Sequence, residues 1–568
     1  MIREALYHRP TPDYSCASRM NEVQIRFRTA RNDAGEVWLC YGVKFDWEHK
    51  KHVRMVKIHT DEYFDYYQYN IVENDIRLGY YFEVNGIDER IYYTEAGILD
   101  AFDDSKAHTL FFQYPSVHRI DLTEEPSWVK DAVFYEIFVE RFDNGSPDIS
   151  PEHTVSWDSE PTPGSFYGGD LEGIAGHLDY LRELGINAVY LTPIFRSASN
   201  HKYDTIDYME IDEHFGSKED FKKLVDCAHE KGIRVMLDAV FNHCSENFAP
   251  FQDVLRNGSA SRYRDWFILH DYPVKQEPPN YETFARVPYM PRFNTANEDV
   301  KEYLFGAAEY WTTQYGVDGW RLDVADEPDH WFWRDFRRRM KGINKDLYIV
   351  GENWHDSLLW LMGDQFDGVM NYPVTNLAVE FFARGNMDPV TFSMRLASHL
   401  MRYPEPVNKM QFNLLDSHDT ERFLYLSGEK TAALKNAAAF LIGYVGVPCI
   451  YYGTEVGMTG GYDPGCRRGF PWKKEQWDRE LLDYFRRLLR IRKEEEALKQ
   501  GDIAFISSDQ LFIMKRFYKQ EAVYIVINRT CTGQNIPGEV LQHVGRELLN
   551  GGRVNMEVIP PDTAYYLK

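Results

Sequence analysis

Gly319-Trp-Arg-Leu-Asp-Val-Ala-Asp-Glu327 opens as an apolar run and closes in acid. Two distant stretches do the same: Ile349-Val-Gly-Glu-Asn-Trp354 and Leu414-Leu-Asp-Ser-His-Asp-Thr-Glu-Arg422. Each reads as a β-strand that stops at a carboxylate: Asp323, Glu352 and Asp419. Asp238-Ala-Val-Phe-Asn-His243 ends in the same manner, with Asn242 and His243 just past the acid. A parallel barrel gathers such strand ends on one face, where active sites are built. Three carboxylates meeting in one pocket suit glycosidic-bond chemistry.

Working outward, Ala132–Phe138, Ile186–Leu191, Ile233–Asp238, Gly316–Asp323, Leu347–Glu352, Phe366–Met370, Gln411–Leu415 and Val447–Tyr452 give eight candidate strands. That is the number that closes a (β/α)8 TIM barrel. Helical patterns separate them, such as Leu178–Leu184 and Lys218–Lys231, the latter capped by Ser217 and stopped by Gly232. Continuous apolar strands alternating with helices mean a parallel sheet covered on both faces, an α/β fold. Residues 244–300 interrupt the alternation with Pro, Tyr, Asn and Arg, too long for an ordinary loop. They read as a small subdomain inserted after strand 3. Asp478–Lys499 reads as the last helix. The barrel is therefore expected over 126–243 and 301–500.

The flanks are β. Residues 1–125 carry short alternating runs such as Asn21–Arg28, Glu36–Tyr41 and Leu78–Val84, the pattern of a sandwich. Residues 501–568 turn β again, with Gln510–Arg516 and Ala522–Ile527, and read as an antiparallel domain.

Composition narrows the partners. Of 568 residues 15% are aromatic, in keeping with large cores and with the flat rings on which sugars stack. The net charge of −24 argues against a nucleic-acid partner, whose phosphates it would repel. Seven scattered cysteines, odd in number and without a CxxC pair, read as reduced thiols. The N-terminus has no apolar run of signal-peptide length, and no stretch approaches the ~18 apolar residues of a membrane span. A cytoplasmic protein is expected. No Cys/His cluster has zinc spacing, and there is no nucleophile elbow or GxGxxG loop.

Each acid alone has a structural explanation. Asp323 pairs with Arg321 two residues away, Glu352 caps a following helix, and Asp419 caps another. Three such coincidences at the ends of three separate strands do not hold together as well as one shared site.

In order along the chain, Asp238–His243, Gly319–Glu327, Glu352 and Asp419 resemble the four signature regions of the α-amylase superfamily of glycoside hydrolases. Met290-Pro-Arg-Phe-Asn294, Asn200–Thr205 and Tyr281–Ala285 narrow the likeness to its cyclomaltodextrinase, neopullulanase and maltogenic amylase subgroup. So does the extra N-terminal domain, which resembles a starch-binding module. The resemblance implies retaining hydrolysis of α-1,4-glucosidic bonds, with transglycosylation as a side reaction. It makes Asp323 the nucleophile, kept ionised by Arg321, Glu352 the general acid/base, and Asp419 the acid that grips sugar hydroxyls. It places Asp238, Asn242, His243, Arg321 and His418 around the cleaved sugar and Tyr203 beneath it. Asp463 and Arg467 would contact the far non-reducing sugar, and Phe284 and Trp354 the leaving-group side.

The same resemblance implies a homodimer, in which the N-terminal domain narrows a partner's cleft, and no required cofactor. Relatives hold structural calcium with a loop of which Asn144, Gly168 and Asp170 are kept here. Ser146 and Ile149 depart from the pattern, and calcium wants six to eight oxygens, so a structural calcium stays open. Two other functions stay open as well: an α-glucosidase or glucanotransferase of the same superfamily, and a sugar-binding protein without catalysis.

Overall fold

The structure is a computed structural model that describes residues 1–87, 89–122, 125–550 and 557–568. Its centre is an eight-stranded parallel sheet: β1 Phe134–Ile137, β2 Ala188–Leu191, β3 Arg234–Ala239, β4 Gly319–Leu322, β5 Tyr348–Gly351, β6 Gly368–Val369, β7 Phe412–Asn413 and β8 Val447–Tyr451. The strands run in the spatial order β6-β5-β4-β3-β2-β1-β8-β7. A parallel bridge between Met370 and Phe412 joins β6 to β7 and closes the barrel.

Strand alternation sets what points inward. Phe134, Ala188, Met236, Tyr348, Phe412, Val447 and Cys449 pack together as an apolar plug. Tyr135, Val189, Leu237, Trp320 and Ile349 belong instead to the core beneath the helices. Two residues further along β1, β3 and β4 the alternation brings up polar side chains, Glu136, Asp238 and Arg321, all but fully buried. Register pairs Glu136 with Tyr190 and Asp238 with Arg321. The interior is thus apolar low down and charged at the C-terminal rim.

The covering helices follow local rules. Lys218–Glu230 starts at a capping box, in which Ser217 accepts from the Asp220 N–H and Asp220 from the Ser217 N–H. Such a cap is worth about 1 kcal/mol. Its buried face is Phe221, Leu224, Val225 and Ala228. Gly232, at φ 73, then takes the left-handed turn into β3. One expected helix is two: Arg479–Glu494 and Glu496–Gln500 break at Glu495, which is extended. The break lets the buried Arg492 guanidinium donate to the carbonyls of Ile442, Gly446 and Leu498.

The segment after β3 carries one α-helix, Ala249–Asn257, and isolated bridges such as Thr283 to Pro291, around Phe248, Phe251, Phe267, Tyr281 and Phe293. It gives way to helix Glu298–Tyr310, capped by Asn297, three residues before the boundary expected from the sequence.

Residues 1–118 form two antiparallel sheets, one of four and one of six strands, around their own core. Arg26 docks them on the barrel flank by donating to the Tyr403 carbonyl, and Gln24 donates to Glu405. Strands Asp502–Ile506, Leu511–Tyr518, Glu521–Asn528 and Thr563–Leu567 make the C-terminal antiparallel sheet. Among the described residues no helix is long and apolar enough to cross a membrane.

Candidate active site

One guanidinium organises the rim. Arg321 Nη1 donates to both carboxylate oxygens of Asp238 at 3.0 Å and to Asp323 Oδ1 at 2.7 Å. Its Nη2 lies 3.0 Å from Glu352 Oε2 and 3.8 Å from Asp419 Oδ2, with no aligned hydrogen bond. A fully buried arginine therefore meets four carboxyl groups from four strand ends. A buried charge is tolerated only when paired in this way.

The three acids at the cleft are held differently. Asp323 follows β4 directly. Val324, the next residue, sits at φ 45, where a β-branched side chain is strained. That turn aims the Val324 N–H at Glu352 Oε2, 2.9 Å away. Trp354 Nε1 donates to the other Glu352 oxygen at 3.1 Å. Asp419 receives Arg467 Nη2 on Oδ1 at 3.2 Å and has His418 Nε2 at 3.2 Å from Oδ2. None of the three caps a helix: the residue before helix Phe423–Leu426 is Arg422.

Their acidities set Asp419 apart from the other two. Burial pushes Asp323 well above its ordinary value, and Glu352 and Asp238 add to this against Arg321. Burial also raises Glu352, with Asp419 adding to it. Burial acts upward on Asp419 too, but His418, Arg467 and Arg321 together hold it below its ordinary value.

Above the acids opens a cavity of about 830 Å3, a size suited to a small ligand. Asp323, Glu352 and Asp419 line it, as do Tyr203, His243, Phe284, Trp354, Asp463 and Arg467. Tyr203 lies parallel to His418, its hydroxyl donating to Asp238 Oδ2. His243 stacks on Phe284 with ring centres 4.7 Å apart, and its buried Nε2 has no protein partner. Burial lowers His243 to about 3, so this ring is neutral. Trp354 stacks on Tyr372 at 3.7 Å, and Asp463 pairs with Arg467 at 3.1 Å. Asp238, Asn242, Arg321 and His418 do not line the cavity. Asp238 is tied to Arg321, Tyr190 and Tyr203, and Asn242 donates to Glu327. Of Met290–Asn294 only Met290 reaches the cavity; Arg292 pairs with Glu327 and Phe293 packs on Phe267.

The loop expected to offer calcium ligands does not fit the ion. Both Asp170 oxygens are spent on backbone donors: Gly145 and Gly173 on one, Ser146 on the other. Asp170 is the N-cap of helix Leu171–Gly176. Asn144 Nδ2 donates to Ser150, leaving its buried Oδ1 without a partner. One already engaged carboxylate, one amide oxygen and the Gly168 carbonyl fall well short of the six to eight oxygens, several of them charged, that calcium takes. Among the described residues no group of three or more His, Cys, Asp or Glu is placed to hold a metal.

Sequence reasoning missed several members. Glu136 accepts from His418 Nδ1, and Tyr372 backs Trp354. Glu136 had a signal, a lone acid inside the buried run Phe134–Ile137. Tyr372 had none.

The geometry has known counterparts. The family model "Alpha amylase, catalytic domain" matches residues 136–501, and "Alpha amylase, N-terminal ig-like domain" matches residues 1–118. The chain is 48% identical over 547 residues to a cyclomaltodextrinase of Geobacillus thermopakistaniensis (strain MAS1), covering 94% of this chain and 93% of that one. It is 45% identical over 550 residues to a maltogenic alpha-amylase of Bacillus acidopullulyticus, again covering 94% and 93%. A solved cyclomaltodextrinase structure superposes with a TM-score of 0.94 at 41% identity, covering all of both chains. A barrel rim of acids around one arginine, joined to these matches, makes the chain a glycoside hydrolase that belongs to the α-amylase family.

Proposed function

We propose that this enzyme hydrolyses α-1,4-glucosidic bonds in cyclodextrins, maltooligosaccharides or pullulan, with retention and through a covalent glucosyl-enzyme intermediate. The observation that carries the reading is the single buried Arg321, which hydrogen-bonds Asp323 but only approaches Glu352. The guanidinium favours the charged form of the group it bonds. Asp323 is thereby assigned as the carboxylate nucleophile and Glu352 as the proton donor; burial raises both, Asp323 well above its ordinary value, so in the free enzyme one proton is shared by the pair.

Charge balance supports the same division. Glu136, Asp238, Asp323, Glu352 and Asp419 surround Arg321, Arg467 and His418. Arg467 is shared with Asp463 as well, so three cations do not neutralise six carboxylates, and burial keeps a proton on the cluster. In the first step Asp323 attacks the anomeric carbon while Glu352 gives its proton to the departing glycosidic oxygen. In the second, Glu352 takes a proton from water, whose oxygen displaces Asp323. A sugar hydroxyl in place of that water gives transglycosylation. Asp419, held ionised by its cations, receives the sugar's hydroxyls. Tyr203 lies under the ring being cleaved, and the Phe284–His243 and Trp354–Tyr372 stacks offer flat faces to the leaving group. Asp463 and Arg467 bound the far end.

The proposal extends to a homodimer working in the cytoplasm. Among the described residues none before His201 lines the cavity, and this chain's own sandwich sits on the barrel flank. The sandwich that narrows the cleft in this reading is that of a second copy. All seven cysteines are unpaired, as suits a reducing compartment. Light scattering should give twice 66.8 kDa.

Products from β-cyclodextrin, pullulan and starch test the substrate. The expected result is ring opening of the cyclodextrin to linear maltooligosaccharides. An intact ring, with glucose released only from linear ends, would turn the reading to an α-glucosidase or glucanotransferase.

A further inference from the structure

We propose that Glu136 is a positioning residue that holds His418 as a doubly protonated imidazolium, and so keeps Asp419 ionised for substrate. The inference deepens the proposed hydrolysis and rests on it.

The groups that face the two ring nitrogens set the charge of His418. His418 Nδ1 is 2.6 Å from Glu136 Oε1, which also accepts the His418 backbone N–H at 3.1 Å. Nε2 faces Asp419 Oδ2 at 3.2 Å and the Tyr203 hydroxyl oxygen. The single Tyr203 proton has two candidate acceptors, Asp238 Oδ2 at 2.9 Å and His418 Nε2 at 2.5 Å, so the charge of the ring is decided by the two carboxylates that flank it. Each ring nitrogen thus has a carboxylate oxygen beside it, Glu136 at Nδ1 and Asp419 at Nε2, and two flanking carboxylates favour the ring that carries a proton on both nitrogens. The second Glu136 oxygen is buried with no hydrogen-bond partner. A carboxylate so placed is balanced by an adjacent positive charge rather than by further donors.

The other groups around the ring do not alter the balance. From β2, Tyr190 faces it edge-on and donates to Asp238. From the loop after β8, Arg467 Nε and Cys466 Sγ donate to the His418 carbonyl, and the Arg467 charge opposes that of the ring. Arg321 and Glu352 stand behind Asp419. Asp416, close enough to feel the charge of Glu136, accepts from Thr454 and the Phe423 N–H. Although burial disfavours the cation, Asp419 and Glu136 outweigh it and raise His418 above its ordinary value of 6.5.

The sign follows. A raised histidine is cationic below its shifted value and loses its proton as pH rises through it. Glu136→Gln keeps the shape and one acceptor oxygen but removes the charge, so the ring becomes neutral at pH 7, with its proton on Nδ1. Nitrogen NMR of histidine-labelled full-length protein reads this without substrate. The His418 signal, assigned by its disappearance in His418→Gln, should be an imidazolium at pH 7 in the wild type, become a neutral tautomer in E136Q and stay an imidazolium in E136D. With folding checked by circular dichroism, kcat/KM at pH 7 should fall at least about tenfold in E136Q, the equivalent of one pH unit of lost protonation, and recover in part in E136D. A neutral His418 in the wild type, or an imidazolium unchanged in E136Q, would overturn the inference whatever the substrate. Loss of activity in the wild type with the imidazolium intact would instead count against the proposed hydrolysis.

Discussion

Asp323 and Asp170 are both buried aspartates at the end of an apolar or glycine-rich stretch, and the sequence singles out both as functional. Their lone pairs are spent in opposite ways. Asp170 gives its oxygens to three backbone N–H groups and closes a loop onto a helix. Asp323 gives one oxygen to Arg321 and still faces the cavity. A carboxylate satisfied by backbone is structure. One satisfied by a shared cation, with a free side towards a cavity, is available for chemistry.

The sharpest way to break the comparison is at Asp323. Asp323→Asn should lower kcat by about 10^4-fold or more, as expected for removal of a nucleophile, while calorimetry still detects oligosaccharide binding. Turnover near that of the wild type would remove Asp323 from the chemistry and leave it no different from Asp170.

Arg321 comes next. Arg321→Met removes the cation shared by Asp238, Asp323, Glu352 and Asp419. Stranding buried charge in this way costs about 3–5 kcal/mol. Denaturant unfolding should register the loss beside a fall in activity. An unchanged midpoint would mean that the acids share protons rather than depend on the guanidinium.

The acid pair also predicts a pH profile. Asp323 and Glu352 interact closely, so the profile belongs to the pair. The active form has lost one proton and kept the other. Both groups are raised by burial, from ordinary values of 3.8 and 4.5. Activity is lost below the first step because Asp323 is protonated, and above the second because Glu352 is not. Both limbs of kcat/KM against pH should therefore lie above those ordinary values. An acid limb at or below 3.8 would mean that Arg321 outweighs burial at Asp323.

How much of this was legible follows from range. The barrel strands are continuous apolar runs, each written in a few adjacent residues, so their number and their acidic ends can be read locally. Asp323 follows β4 directly, two residues after Arg321, and their shared face is what continued strand alternation predicts. The link of Glu136 to His418 spans 282 positions and that of Arg467 to Asp419 spans 48. Nothing local encodes either, because the closing of the barrel creates them. The stretch Met290–Asn294 shows the converse. Its motif was legible, yet only Met290 reaches the cavity, since Arg292 and Phe293 are used to pin the inserted segment. Val324 was illegible for another reason: strain at φ 45 opposes local preference and is imposed by the site around it.

The smallest effect tests the other half of the comparison. Asp170→Asn keeps one oxygen for the Gly145 and Gly173 N–H groups but turns an amide N–H2 towards the Ser146 N–H, a donor against a donor. Loss of this bond and of the charge at a helix N-terminus should cost about 1–2 kcal/mol. Thermal unfolding should start earlier, with kcat unchanged, because Asp170 does not line the cavity. Excess calcium should shift the unfolding midpoint of neither protein, since the wild-type oxygens are already filled by backbone donors. A calcium-dependent rise in the wild type that disappears in D170N would show the loop opening those hydrogen bonds for an ion. Asp170 would then share with Asp323 the property that the comparison denies it, a carboxylate face free for a ligand.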